Sequence, residues 1–161
     1  MKKLIIVRHA KSSWEHNVSD HERPLNKRGF NDADLVSKYL INLKLKYDKL
    51  ISSDAMRAKT TANIFIENLK ITKSICFLDH NLYDFSGEKL IQVVRECPDS
   101  VNNLIIFGHN HAITSFVNLY GDVYVDNIPT CGVTILELNI EQWDNLKPGK
   151  TFRTIFPKHL K

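Results

Sequence analysis

Two short, uninterrupted apolar runs, Leu4–Val7 and Leu104–Phe107, constrain this chain more than any other feature. Neither alternates with polar residues, so each reads as a strand buried on both faces, as in a parallel sheet covered by helices. Each run passes at once into a polar, histidine-bearing segment: Arg8-His9-Ala10-Lys11 after the first, Gly108-His109-Asn110-His111 after the second. Between them the apolar period is helical. Leu35, Val36, Tyr39, Leu40 and Leu43 share one face of a helix predicted over Asn31–Leu43. Ala58, Ala62, Phe65, Ile66 and Leu69 do the same over Ala55–Leu69, with Ser53 or Asp54 as the expected N-cap. Lys49–Ser52 reads as a short strand feeding that helix. Glu88–Cys97, stopped by Pro98, and His111–Leu119, ending near Gly121, are further helices; Gly132–Leu138 and Thr151–Phe156 are late strands. Strands alternating with helices predict an α/β three-layer sandwich with a mostly parallel central sheet, one domain over residues 1–161.

Composition narrows the function classes. A net charge of +4, with 22 basic and 18 acidic residues spread along the chain, lacks the basic stripe expected of a nucleic-acid binder. It suits an anionic ligand instead. Cys76, Cys97 and Cys131 are far apart and odd in number, which argues against a disulfide framework or a zinc ribbon. The N-terminal apolar run is interrupted by Arg8-His9 too early for a secretory signal, and no stretch is long enough for a membrane helix. The expectation is a cytoplasmic protein with no membrane partner.

In open α/β sheets, ligands collect beyond the carboxyl ends of the strands. Arg8-His9, Ser53 through Arg57, and His109 should therefore meet on one rim. Arg8 and Arg57 offer planar donor forks suited to phosphate oxygens. Arg57 falls in the first turn of its helix, where the dipole opposes a cation by a few tenths of a kcal/mol unless an anion sits there. Each residue also has a plainer reading: Arg8-His9 as a solvated pair, Arg57 as a partner of Asp54, His109 as a loop histidine. His109 and His111 could form a metal-ligand pair, but no HExxH pattern or carboxylate cluster supports it, and neighbouring arginines oppose a divalent ion.

Taken together, Arg8-His9 after a strand, Arg23-Pro24-Leu25-Asn26-x-x-Gly29, Ser53-x-x-x-Arg57-Ala58-x-x-Thr61-Ala62 and Gly108-His109 resemble the histidine phosphatase superfamily. The short chain, Arg8-His9-Ala10-Lys11-Ser12-Ser13-Trp14 and Asp20-x-x-Arg23-Pro24-Leu25 look like its small branch, the phosphohistidine phosphatases of the SixA type. The resemblance runs from Leu4 to about Leu138 and implies the phosphoglycerate mutase-like fold. It implies that His9 attacks phosphorus and carries the phosphoryl group, while Arg8, Arg57 and His109 hold its oxygens, with no metal or cofactor. His109 serves best as an imidazolium and His9 must be neutral, so the two need opposite protonation states. Activity is then expected to fall at acid pH, and activity undiminished well below about pH 5 would count against His9.

Two departures from the pattern matter. Ala10 stands where the larger family has glycine, which fits if φ is negative there. Where many members have a glutamate as general acid, Leu82-Tyr83-Asp84 offers Asp84, either as that acid or as a local cap. Arg23 and Ser13 are further candidates for substrate contact, Arg23 being equally able to pair with Asp20 or Glu22. Pro129-Thr130-Cys131-Gly132 is expected to complete the rim, with Cys131 as packing. The favoured substrate is a phosphohistidine on a protein, such as a histidine-containing phosphotransfer domain, because a nitrogen leaving group depends less on an enzyme acid. A small-molecule phosphomonoesterase and a non-catalytic phosphoprotein-binding module are the alternatives. A mutase would need insertions this chain is too short for, and no GxGxxG or GxxxxGK[ST] follows either strand.

Overall fold

A computed structural model describes residues 1–161. Six strands and four helices follow in the order β1 (Lys2–Arg8), α1 (Lys27–Ile41), β2 (Lys49–Ser52), α2 (Met56–Leu69), β3 (Cys76–Leu78), α3 (Glu88–Arg95), β4 (Asn103–Gly108), α4 (Ala112–Tyr120), β5 (Val133–Leu138) and β6 (Lys150–Ile155). One sheet takes them in the order β3-β2-β4-β1-β5-β6. β3, β2, β4 and β1 are parallel; β5 runs against β1, and β6 against β5. The sheet is the mixed but mostly parallel one expected for an α/β sandwich.

The pleat sorts β1 and β4 into two cores. Leu4, Ile6, Leu104 and Ile106 face a cluster with Leu90, Val93, Ile113, Phe116 and Trp143, under α3 and α4. Ile5, Val7, Ile105 and Phe107 face the other side, against Ala33, Val36, Leu40, Ala62 and Phe65 of α1 and α2. Every one of these strand residues is fully buried, which explains why both runs are apolar throughout. No helix is long and apolar enough to cross a membrane.

The chain departs from the predicted boundaries where local chemistry overrides the apolar period. α1 starts at Lys27 rather than Asn31, because the Asn26 side chain accepts from the Gly29 amide at 2.8 Å and caps the helix there. A Cβ on Gly29 would lie 2.1 Å from the Lys11 carbonyl oxygen, so glycine lets α1 pack against the segment after β1. The N-cap of α2 is Ala55, with no side-chain hydrogen bond, and not Ser53 or Asp54: Asp54 faces His21, and Ser53 Oγ accepts from the Ala55 amide at 3.2 Å and meets His109. The edge strand β3 is missing from the expected elements: Ile75–Leu78 is apolar, but only three residues pair, on one side of the sheet, and Phe77 and Leu78 stay exposed.

Candidate active site

Register brings the key residues to one rim. Arg8 pairs with Gly108, and Ser52 with Phe107. One step further, the His9 amide donates to the Gly108 carbonyl at 3.0 Å, and the Ser53 amide to the Phe107 carbonyl at 2.9 Å. His9, Ser53 and His109 thus leave three adjacent parallel strands together, at their carboxyl ends.

His9 is buried, and its Nδ1 lies 2.7 Å from the Ala10 carbonyl oxygen, which can only accept. Nδ1 therefore carries the proton and Nε2 presents a lone pair. Arg57 Nε donates to that nitrogen at 3.3 Å. Burial, partly countered by the Ala10 carbonyl and reinforced by Arg57, Arg8 and Arg23, pushes the His9 pKa down to about 3. A neutral nucleophilic nitrogen is what this environment favours. A fall in activity at acid pH through His9 protonation is therefore expected only below the ordinary histidine range. Ala10 is fully buried, its amide donates to Thr61 Oγ1 at 3.0 Å, and its φ is not positive, so the methyl group is accommodated.

Arg8 donates from Nη1 to the Ile128 carbonyl at 2.7 Å, while its buried Nε has no protein partner. Burial and the neighbouring Arg57 lower its pKa. The loop before β5 closes behind this pair, the Cys131 amide donating to the carbonyls of Arg8 and His9 at 3.1 and 3.0 Å. Thr130 lines the pocket, and Cys131 is wholly buried packing.

The His109 ring lies 5.2 Å from that of His9, with Nε2 2.8 Å from Ser53 Oγ and Nδ1 buried without a protein partner. Tyr83 and Phe85 cover it, at 5.3 and 5.2 Å between ring centres. Burial first, then His9 and Arg57, lowers its pKa to about 2. The protein groups around the two rings thus disfavour the expected pairing of an imidazolium with a neutral imidazole. Burial and Arg57 favour the neutral form of both rings, and the Asp20 carboxylate offsets this only in part at His109.

Asp20, not singled out from sequence as a site residue, lies between the cations. Its Oδ2 accepts from Arg57 Nη2 at 3.0 Å and from the Tyr83 hydroxyl at 2.5 Å; its Oδ1 accepts from Arg23 Nη1 at 2.9 Å. Partial burial opposes ionisation, but the hydrogen bonds from Tyr83 and Arg57 win and hold the carboxyl far below its usual range. Arg57 thus pairs with Asp20 and not with Asp54. Arg23 also donates to the Ser13 carbonyl at 3.2 Å and to the Ser12 hydroxyl, and its guanidinium stacks 3.3 Å above the Trp14 ring.

Two expected contributors are placed differently. Ser13 turns its hydroxyl to the Glu15 amide at 3.1 Å and does not line the pocket; its neighbour Ser12 does. Asp84 acts as the local cap. Its carboxylate accepts from the amides of Ser86, Gly87, Lys89 and Leu90 and from the Ser86 hydroxyl, at 3.0–3.2 Å, around the start of α3. Burial would raise its pKa, yet the bonds from Leu90, Ser86 and Gly87 lower it. These bonds favour the ionised form, and Asp84 is not among the residues that line the pocket with His9, so the structure supports the local cap over the general acid.

Arg8, His9, Ser12, Asp20, Arg23 and Arg57 line a pocket of about 250 Å³, with Trp14 and Phe85 at its mouth. A larger groove of about 870 Å³ along α2 and β3 contains neither histidine nor arginine. His109 and His111 do not converge, since His111 Nδ1 faces its neighbour Asn110. Nucleophile, cations and a small open pocket together can hold a tetrahedral oxyanion against His9 Nε2.

Comparison with known proteins agrees with this arrangement. The chain is 24% identical over 153 residues to the protein MT1313 of Mycobacterium tuberculosis, covering 89% of this chain and 93% of that one. Its fold superposes with a TM-score of 0.80 on a structure described as the phosphohistidine phosphatase SixA of Agrobacterium tumefaciens (17% identity, 97% and 98% of the two chains). The TM-score is also 0.80 with a protein histidine phosphatase SixA complexed with tungstate (19% identity, 99% of each chain). The model of the histidine phosphatase superfamily (branch 1) matches residues 4–104. This chain belongs to the histidine phosphatase superfamily and is a phosphatase.

Proposed function

We propose that the protein removes phosphoryl groups from phosphohistidine on a protein, without a metal, through a phosphorylated His9. The carrying observation is the His9 ring itself: Nδ1 faces the Ala10 carbonyl, so Nε2 carries the lone pair, which accepts from Arg57 Nε at 3.3 Å and is freed for attack when that donor turns to a phosphoryl oxygen. In the proposed reaction, Nε2 attacks phosphorus in line with the leaving nitrogen; the new P–N bond forms as the substrate P–N bond breaks. Water then attacks the phosphoenzyme, releasing phosphate and returning His9 to its neutral form.

Arg8 and Arg57 are the proposed ligands of the phosphoryl oxygens, the unpaired Arg8 Nε among the donors. A bound phosphate also adds negative charge beside His109, where Asp20 alone does not outweigh burial. His109 then gains a proton and donates from both nitrogens, Nε2 to Ser53 and Nδ1 towards the anion. In the tungstate complex of the SixA structure, that protein binds a tetrahedral oxyanion, which supports an oxyanion site on the same fold.

The engagement of Asp84 supports the choice of substrate. With that carboxylate bound to the start of α3, an imidazole is a more suitable leaving group than a sugar alkoxide, which needs a proton from an acid. Trp14 and Phe85, 75% and 46% exposed at the mouth, leave the site accessible to a side chain presented by another protein. The test is turnover, with chelator present, of a phosphorylated histidine-containing phosphotransfer protein and, separately, of p-nitrophenyl phosphate. The expected result is preferential hydrolysis of the first, lost in His9→Ala. Abolition by chelator would refute the metal-free mechanism, and binding without turnover would support a reader module instead.

A further inference from the structure

A second cluster, outside the pocket, has the make-up of a metal site. His21 follows Asp20, Asp54 follows Ser53, and His80 lies in the turn before Tyr83, on three separate segments of the chain. His21 Nε2 is 2.8 Å from Asp54 Oδ1; His80 Nδ1 is 3.0 Å from Oδ2 and 3.1 Å from Oδ1. The three ligand atoms lie within 4.8 Å of one another. Zinc with bonds of about 2.0–2.1 Å holds tetrahedral ligand atoms about 3.3 Å apart, so little movement separates this triangle from a coordination shell.

We propose that His21, Asp54 and His80 bind a divalent ion of the zinc class, independently of the phosphatase mechanism. Two imidazoles and one carboxylate suit zinc, nickel or copper rather than magnesium or calcium, which prefer all-oxygen shells. Binding needs a lone pair on His21 Nε2 and on His80 Nδ1, the nitrogens that now face Asp54, so any proton on them must leave or move to the other ring nitrogen. The His80 side chain is 71% exposed, so an ion can enter from solvent, and three protein ligands leave a position for water. The Tyr83 ring packs edge-on to His21 at 4.9 Å and separates the cluster from His109.

The site's position gives it a consequence. The neighbours of its ligands are residues that organise the pocket: Asp20 on Arg57, Ser53 on His109, and Tyr83 on Asp20. An ion here fastens the segments that carry them without touching phosphate.

The experiment is calorimetric titration of chelator-stripped protein with zinc chloride, paired with thermal unfolding. One ion per chain, a raised unfolding midpoint and no response to magnesium are expected. His80→Ala and His21→Gln should weaken zinc binding at least tenfold, whereas His159→Gln, at an exposed position away from the cluster, should leave it unchanged. Cobalt bound to the unaltered protein should show the absorption of a four-coordinate site, a readout that does not depend on any variant folding. The zinc-free His80→Ala protein should turn over substrate as the zinc-free parent does. No saturable binding, or binding indifferent to His21 and His80, would overturn the site, whatever the phosphatase assays give.

Discussion

Arg57 donates from Nε to His9 Nε2 across 3.3 Å while its two terminal nitrogens are held by Asp20, through the backbone carbonyl at 2.6 Å and the carboxylate at 3.0 Å. A planar fork is needed to satisfy both sides at once. Lysine keeps the charge but cannot span them. Arg57→Lys is therefore expected to lower kcat/KM by roughly 10²–10³-fold, the scale of losing an oriented transition-state donor. Steady-state kinetics decide this, and a loss below about threefold would mean that charge alone suffices.

The same geometry makes Asp20 an internal anion in a pocket built for an external one. Its carboxylate orders Arg57 and Arg23 but repels phosphate. Asp20→Asn keeps the shape and removes the charge, so tungstate is expected to bind roughly three- to tenfold more tightly, as measured by competition against turnover. Weaker binding would show that ordering the arginines outweighs the repulsion.

Protonation of the two buried histidines should register in stability. His9 and His109 have folded pKa values of about 3 and about 2, below the ordinary 6.5 of an unfolded chain. Between these values the unfolded state binds protons that the native state does not. Their contribution is thus fully present above about 6.5 and is lost progressively as pH falls towards about 3. Urea midpoints measured without phosphate should fall through this window, and less steeply in His9→Gln. Phosphate should flatten the same slope by letting His109 take up a proton. Equal slopes for parent and variant would contradict the buried neutral state.

Asp84 should separate stability from chemistry. Asp84→Ala removes the acceptor for the start of α3 and is expected to cost about 1–2 kcal/mol of stability. With phosphohistidine as substrate, kcat should remain within about twofold of the parent. A large loss of kcat in a folded variant would restore Asp84 as the acid.

The strand runs and the residues directly after them were legible because a parallel core strand writes itself as continuous apolar sequence. His9, Arg57 and His109 could be assigned to one rim from that alone, and the architecture places them together. What was not legible depended on contacts between distant segments. Asp20 and Tyr83 are brought together across the chain, and nothing local to either marks the meeting. Asp54 looked like a helix cap by position but answers to His21 and His80 instead. Ser12 and Ser13 are adjacent, and contacts with a later segment, the bridge pairing Ser12 with Leu25 and the bonds from Arg23, decide which hydroxyl lines the pocket. Protonation was beyond the motif as well. A list of residues carries no burial, and burial is what makes both histidines neutral.

In the proposed reaction His9 itself carries the phosphoryl group. Rapid acid-free quenching of the enzyme with phosphate-labelled substrate, followed by proteolysis and mass spectrometry, reads this directly. The expected result is a transient phosphate on His9 that is stable to alkali, labile to acid, chased by water, and absent in His9→Ala. Full turnover with no labelled enzyme at any time, or label on another residue that persists in His9→Ala, would contradict it.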